Sequence, residues 1–204
     1  MDAKNHWDNI YETKTDQEKS WFQSYPKTSI EIFESLDIPL TARIIDVGGG
    51  DSRFAEVLVK KGYENIWVLD ISENAIQRSK NRLGNLAKRI HWIVFDITTY
   101  EFDGLQFDLW HDRAAFHFLT AEDKMLHYVL SSKDAIRKNG HMIVATFSEQ
   151  GPRKCSGLDI KQYSEDSLSA RFLPYFECIN CIREDHVTPF QTTQNFLFCV
   201  LKRK

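Results

Sequence analysis

No stretch of this chain is long and apolar enough to cross a bilayer, and the opening Met1-Asp2-Ala3-Lys4-Asn5-His6-Trp7 has none of the apolar core of a signal peptide. Runs of lysine or arginine are missing and the formal net charge is −3, so no dedicated nucleic-acid surface is advertised. Low-complexity segments and internal repeats are absent as well. With 42% hydrophobic residues among 204, the chain has enough apolar side chains for one full core and too many for a disordered segment. The expectation is one domain over residues 1–204, cytoplasmic, with neither membrane nor nucleic acid as partner. Cysteine is scarce: four residues, which fits a reducing compartment. Cys178-x-x-Cys181 falls in a strand-like run, where residues three apart face opposite ways, and no second C-x-x-C completes a zinc site. The pair is read as structural, and no metal is expected.

Glycine is sparse too, yet three of the nine are consecutive. Residues 43–52 read Arg-Ile-Ile-Asp-Val-Gly-Gly-Gly-Asp-Ser, an apolar strand that runs through Asp46 into Gly48, Gly49 and Gly50. Phe54, Val57 and Leu58 then fall three and four apart, the start of a helix. A strand that turns through glycine into a helix lets a ligand press against main-chain N–H groups. A dinucleotide fingerprint fails here, because its sixth position, counted from Gly48, is the long, charged Arg53. Asp46-Val47-Gly48-Gly49-Gly50 instead matches D-x-G-x-G, with the acid on the strand. Two further apolar strands end in acids, Ile66–Leu69 in Asp70 and Ile90–Phe95 in Asp96, with Ile71 and Ile97 next in line. Each interval holds one helix and one strand, the repeat of a parallel sheet. One strand-end aspartate is an ordinary helix cap. Three in register with a glycine loop are hard to explain that way.

This arrangement resembles the cofactor loop of class I methyltransferases, which bind S-adenosylmethionine. The resemblance implies an α/β fold: a Rossmann-like, seven-stranded, mostly parallel sheet flanked by helices, its last strand antiparallel. It implies that Asp46, Gly48, Gly49 and Gly50 meet the amino-acid end of the cofactor. It implies Asp70 on the ribose hydroxyls and Asp96 on the adenine amino group, with Ile71 and Ile97 beside them. Ser52 replaces a glycine that the family often has two positions after Gly50. The layout expected is a leader over 1–35, a cofactor core over 41–148, and a substrate loop with a C-terminal hairpin over 149–204.

The chemistry is expected at the end of the fourth strand, Phe107–Trp110, beside the point where strand order reverses. There the chain reads His111-Asp112-Arg113-Ala114-Ala115-Phe116-His117. His111 or His117 is a candidate base, and Arg113 a candidate clamp for a substrate carboxylate unless Asp112 locks it. The run is similar to Trp-Asp-Arg-Gly-Ala of thiopurine S-methyltransferase-like enzymes. The leader, with Trp7-x-x-x-Tyr11 and Ser20-Trp21-Phe22, resembles that of small lysine methyltransferases, which folds over the cofactor; Trp21 is therefore placed at the cofactor. Those enzymes carry an Asp-Lys-Gly type sequence after the strand, matched loosely by Asp112-Arg113-Ala114. Cys155 sits in a Lys/Arg-rich loop, where nearby cations lower a thiol pKa, but the loop is read as covering the substrate and Cys155 as incidental to it. The leading expectation is methyl transfer to a small-molecule thiol, amine or carboxylate. A protein lysine methyltransferase is the alternative, and a non-catalytic cofactor-binding module a more remote one.

Overall fold

In a computed structural model, residues 2–204 are described; Met1, the first residue of the expected leader, lies outside them. The sheet begins with β1 (Arg43–Val47), β2 (Asn65–Asp70), β3 (Ile90–Val94), β4 (Phe107–Arg113) and β5 (Ile136–Phe147), all parallel to one another. A two-residue ribbon, β6 (Lys154–Cys155) with β7 (Leu158–Asp159), interrupts the loop after β5. The chain ends in β8 (Phe176–Val187) and β9 (Thr193–Arg203), and β9 runs antiparallel to both β5 and β8. The seven-stranded order is β3-β2-β1-β4-β5-β9-β8, so the direction of winding reverses between β1 and β4. That reversal opens a crevice at the strand tips.

Helices α1 (Ala3–Thr13), α2 (Lys27–Ser35), α3 (Phe54–Lys60), α4 (Glu73–Leu83), α5 (Glu122–Ala135) and α6 (Glu165–Phe172) cover the sheet. None is long and apolar enough to cross a membrane. Strand alternation divides the core in two. Ile44, Ile66 and Leu109 pack with Phe33, Phe54 and Leu58 on one face; Ile45, Trp110 and Met142 pack with Tyr128 and Phe172 on the other.

The leader is pinned to α4. The Ser72 hydroxyl, which caps α4, donates to Asp8 at 2.7 Å, and Arg78 donates to the carbonyls of Tyr11 (3.0 Å) and Lys14 (2.6 Å). Lys19 is buried between Asp16, at 2.9 Å, and Asp51, and Asp51 also takes Arg82 at 2.5 Å.

Three details depart from the sequence expectation. The capping-box-like Thr120-Ala121-Glu122-Asp123 and the later Asn139-Gly140 predict a helix running to Lys138; it starts at Glu122 without a side-chain cap and stops at Ala135, because Ile136 already pairs with Phe107 in the sheet. The Asn139-Gly140 step then lies inside β5, with Asn139 left-handed at φ 65°. Third, β8 carries a bulge between Cys178 and Asn180, so Cys178 pairs with Leu201 and Cys181 with Cys199. Positions 199 and 201 share a face, and so the two cysteines share one instead of facing apart. Cys181 is disulfide-bonded to Cys199, and the Cys178 Sγ lies 3.6 Å from that of Cys181.

Candidate active site

Gly48 turns left-handed at φ 67° after β1, and its N–H donates to the Leu69 carbonyl at 2.7 Å, stitching the loop to the tip of β2. A Cβ on Gly48 would lie 2.6 Å from that of Ala115. Gly50 donates its N–H to Asp70 Oδ2 at 2.9 Å, and the Ser72 N–H reaches Asp70 Oδ1 at 2.8 Å. Burial pushes the Asp70 carboxyl up to about 6 against these two donors. Asp96 accepts from the Thr98 N–H and hydroxyl, both at 2.8 Å. Asp70, Ile71, Asp96 and Ile97 line one side of a cavity of about 290 Å³, which extends past Gly48 to Trp21 and Arg113. A smaller cavity, about 60 Å³, holds Asp46, Gly49, Ser52 and His111 and meets the first at Gly48, Tyr11, Trp21 and Arg113. Gly50 lines neither; it braces Asp70.

The fourth-strand cluster is not a single surface. The strand continues to Arg113, so its side chains alternate between the two faces. His111 is buried and stacks on Phe54 at 3.8 Å; its Nδ1–H donates to Asp46 at 2.7 Å and its Nε2 meets the Ser29 hydroxyl at 2.9 Å. Both nitrogens are occupied, so the expectation of a base at His111 gives way to a strut beneath Asp46. Asp112 points to the opposite face, away from Arg113, and does not lock it. Its carboxylate accepts from the Ala115 N–H (2.8 Å), the Phe116 N–H (3.0 Å) and the Tyr128 hydroxyl (2.5 Å), and burial raises it to about 6. His117 is fully buried; its Nδ1 accepts the Phe147 N–H at 3.2 Å. Burial, then the nearby Arg113 cation, push His117 down to about 3, which leaves it neutral and unfit as a base near neutrality.

Arg113 alone of the four lines the cavity. Its guanidinium lies 4.3 Å from the Phe196 ring centroid, and Nη1 donates to the Trp21 carbonyl at 3.1 Å. Nε and Nη2 are buried without a partner. Burial lowers its pKa to about 10, with Glu184 pulling the other way. Cys155 shares the cavity, but burial raises its thiol to about 11 and outweighs Arg113, the reverse of what the loop's charges alone suggest.

Residues not assigned from sequence complete the wall. Trp7 meets Trp21 edge-on at 5.9 Å and Phe118 at 5.0 Å, and Tyr11 meets Trp21 at 6.4 Å. The Trp7-x-x-x-Tyr11 spacing, one helix turn, carries part of this signal; nothing marks Phe196. The cavity is polar in a directed way. Carboxylates that accept hydrogen bonds stand at one side, and an unpartnered guanidinium stands at the other. S-adenosylmethionine has the complementary pattern: hydroxyls and an amino group on the adenosine, a carboxylate on the amino acid. The residues present fit that molecule.

A family model described as a methyltransferase domain matches residues 44–140. The zebrafish (Danio rerio) protein named EEF1A lysine methyltransferase 2 is 26% identical over 160 residues, covering 72% of this chain and 69% of that one. A structure solved in work on the conversion of a disulfide bond into a thioacetal group during echinomycin biosynthesis superposes with a TM-score of 0.79 at 16% identity, covering 98% and 93% of the two chains. The Burkholderia thailandensis 1,6-didemethyltoxoflavin-N1-methyltransferase, solved with S-adenosylhomocysteine, has a TM-score of 0.71 at 15% identity over 99% of this chain and 84% of that one. The glycine loop, the acids at the strand tips, the strand order and these similarities lead to one conclusion: the chain is a class I S-adenosylmethionine-dependent methyltransferase.

Proposed function

We propose that the enzyme methylates an amine, and that this amine is a lysine side chain presented by a protein. The observation that carries the reading is the aromatic wall of the cavity. Trp7, Trp21 and Phe118 stand edge to face, and among the described residues the only carboxylates lining this cavity are Asp70 and Asp96. Aromatic faces attract an alkylammonium. The same dry walls penalise its charge, so the amine pKa falls and a lone pair becomes available. Arg113 adds a fixed positive charge, which already depresses His117. In this reading S-adenosylmethionine supplies an electrophilic methyl on a sulfonium. The ammonium gives its proton to water on entering the cavity, where the aromatic wall and the Arg113 charge would hold the amine neutral with its lone pair free. No side-chain base is assigned.

Asp70 takes the ribose hydroxyls and Asp96 the adenine amino group, while Gly48 lets the ligand approach the loop. Arg113 takes the cofactor carboxylate through its two unpartnered nitrogens, so it binds cofactor rather than substrate. His111, Asp112 and His117 become positioning residues: His111 holds Asp46, Asp112 shapes the turn after β4, and His117 anchors that turn to β5.

The similarity to a protein named for lysine methylation of EEF1A supports a protein acceptor. A small-molecule amine is the second reading, in keeping with the structurally similar protein named as a 1,6-didemethyltoxoflavin-N1-methyltransferase. Incubating the enzyme with radiolabelled methyl donor, a protein extract and a panel of small amines, thiols and carboxylic acids separates the two. The expected label appears in protein and is recovered as methyl-lysine after acid hydrolysis. Label in small amines alone overturns the protein acceptor, and label on sulfur or oxygen overturns the amine.

A further inference from the structure

Three of the four cysteines lie outside both cavities, and a backbone irregularity assembles them. In a regular antiparallel strand Cys178 and Cys181 would face opposite sides of the sheet. The bulge leaves Ile179 without a partner on β9 and brings Cys178 round to the face shared by Cys181 and Cys199. The three sulfurs then lie within 4.8 Å of one another. Cys199 is buried in the sheet, while Cys178 and Cys181 are half-buried and reachable from the edge strand. With the Cys181–Cys199 bond formed, Cys178 is left as a free thiol against a disulfide.

We propose that the reduced form of this cluster is a binding site for one thiophilic d10 cation, Zn2+ or Cu+, and that the disulfide closes it. Thiolate sulfur selects ions of this kind over hard cations. Three converging thiolates supply a trigonal set for Cu+, or three of the four ligands that Zn2+ takes, with solvent at the half-exposed side as the fourth. Opening the site takes a two-electron reductant: a dithiol delivers two electrons and two protons to the Cys181–Cys199 bond and itself becomes a disulfide, and a phosphine with water gives the same two thiols and becomes its oxide. Binding then releases the thiol protons to solvent. Oxidation removes two of the three ligands at once, so metal and disulfide are mutually exclusive at this point of the sheet.

The test uses the full chain, reduced with a phosphine under inert gas, desalted, and titrated separately with Zn2+ and Cu+ against a chromophoric chelator for each. The expected result is one equivalent bound by reduced protein and none by oxidised protein, with the tighter arm naming the ion. Cys178→Ser is expected to weaken binding at least tenfold. Cys155→Ser, which alters a thiol in the main cavity, is expected to leave the metal affinity unchanged. Circular dichroism establishes that the variants fold; if Cys178→Ser does not, the reduced-against-oxidised comparison of the unmodified chain decides. Absence of stoichiometric binding of either ion by reduced protein overturns the proposal. So does equal affinity in the oxidised form, or equal affinity in a folded Cys178→Ser variant.

Discussion

The tips of β2 and β3 and the tip of β4 present acids to the same crevice region in different ways. Asp70 and Asp96 are held mostly by their own turns: Ser72 and Thr98 are two residues on, and Gly50 belongs to the neighbouring loop. Both residues still line the cavity. At the tip of β4 the side chains are closed in, and Asp112 accepts from Ala115 and Phe116 of its own turn as well as from α5. Asp112 is bonded by Tyr128, His111 by Asp46 and Ser29, and His117 by Phe147. Acids that line the large cavity remain available to a ligand, whereas Asp112 and His117, which line neither cavity, and His111, with both nitrogens bonded, are struts. Arg113 lines the large cavity with two nitrogens that have no partner among the described residues, whereas the unpartnered Nε2 of His117 is buried outside it.

The comparison breaks first, if it breaks, at Asp112. Replacing it with alanine leaves two buried N–H groups and the Tyr128 hydroxyl without an acceptor, at about 1–3 kcal/mol each. Urea denaturation of Asp112→Ala is expected to show a loss of about 3 kcal/mol or more. A loss below about 1 kcal/mol would mean that Asp112 is no strut.

Asp70→Ala probes the other side. Cofactor affinity, read by calorimetry with S-adenosylhomocysteine, is expected to fall about 10- to 100-fold, as for hydrogen bonds to a charged group worth about 1.5–3 kcal/mol. pH sharpens the assignment. With its pKa raised to about 6, the Asp70 carboxyl is protonated in acid. Ribose hydroxyls stabilise the charged form, so affinity in the unmodified protein should decline as pH drops below about 6, by at most about tenfold per unit. Unliganded stability responds in the opposite sense. A carboxyl raised on folding contributes stability that is present below its ordinary value near 4 and is lost as pH climbs through 6. Asp70→Asn should flatten the affinity dependence and reduce the stability dependence, whose remainder belongs to Asp112, likewise raised to about 6.

The smallest effect belongs to Ala114, left-handed at φ 77° directly after Arg113. The resembling families have glycine near this point, and an L side chain in this region is strained. Ala114→Gly is expected to raise stability by about 0.5–1 kcal/mol in thermal unfolding. A destabilised variant would place the strain elsewhere.

The glycine loop, the acids of β2 and β3, and the order of strands and helices could be read in the sequence because their determinants are short-range. At β4 the reading failed in detail: the strand runs three residues past Trp110, and each added residue flips the side of the sheet a side chain serves. Polar density at a strand tip therefore looked like one cluster when it was two faces. Ile136 was read as helix because its partner Phe107 is remote in sequence. A bulge carries no residue-type signature, so Cys178 and Cys181 were read on the wrong faces. At Cys155 the neighbouring cations alone suggest an activated thiol, while burial, invisible in sequence, raises it.

The proposal that a ligand carboxylate completes Arg113 is tested most directly by calorimetry on the unmodified enzyme and Arg113→Met. Each is titrated with S-adenosylhomocysteine and with 5'-methylthioadenosine, which lacks the amino-acid end. The account predicts that Arg113→Met loses about tenfold or more for S-adenosylhomocysteine, in line with a charge-assisted hydrogen bond, and almost nothing for 5'-methylthioadenosine. Equal losses for the two ligands, or none for either, would contradict it.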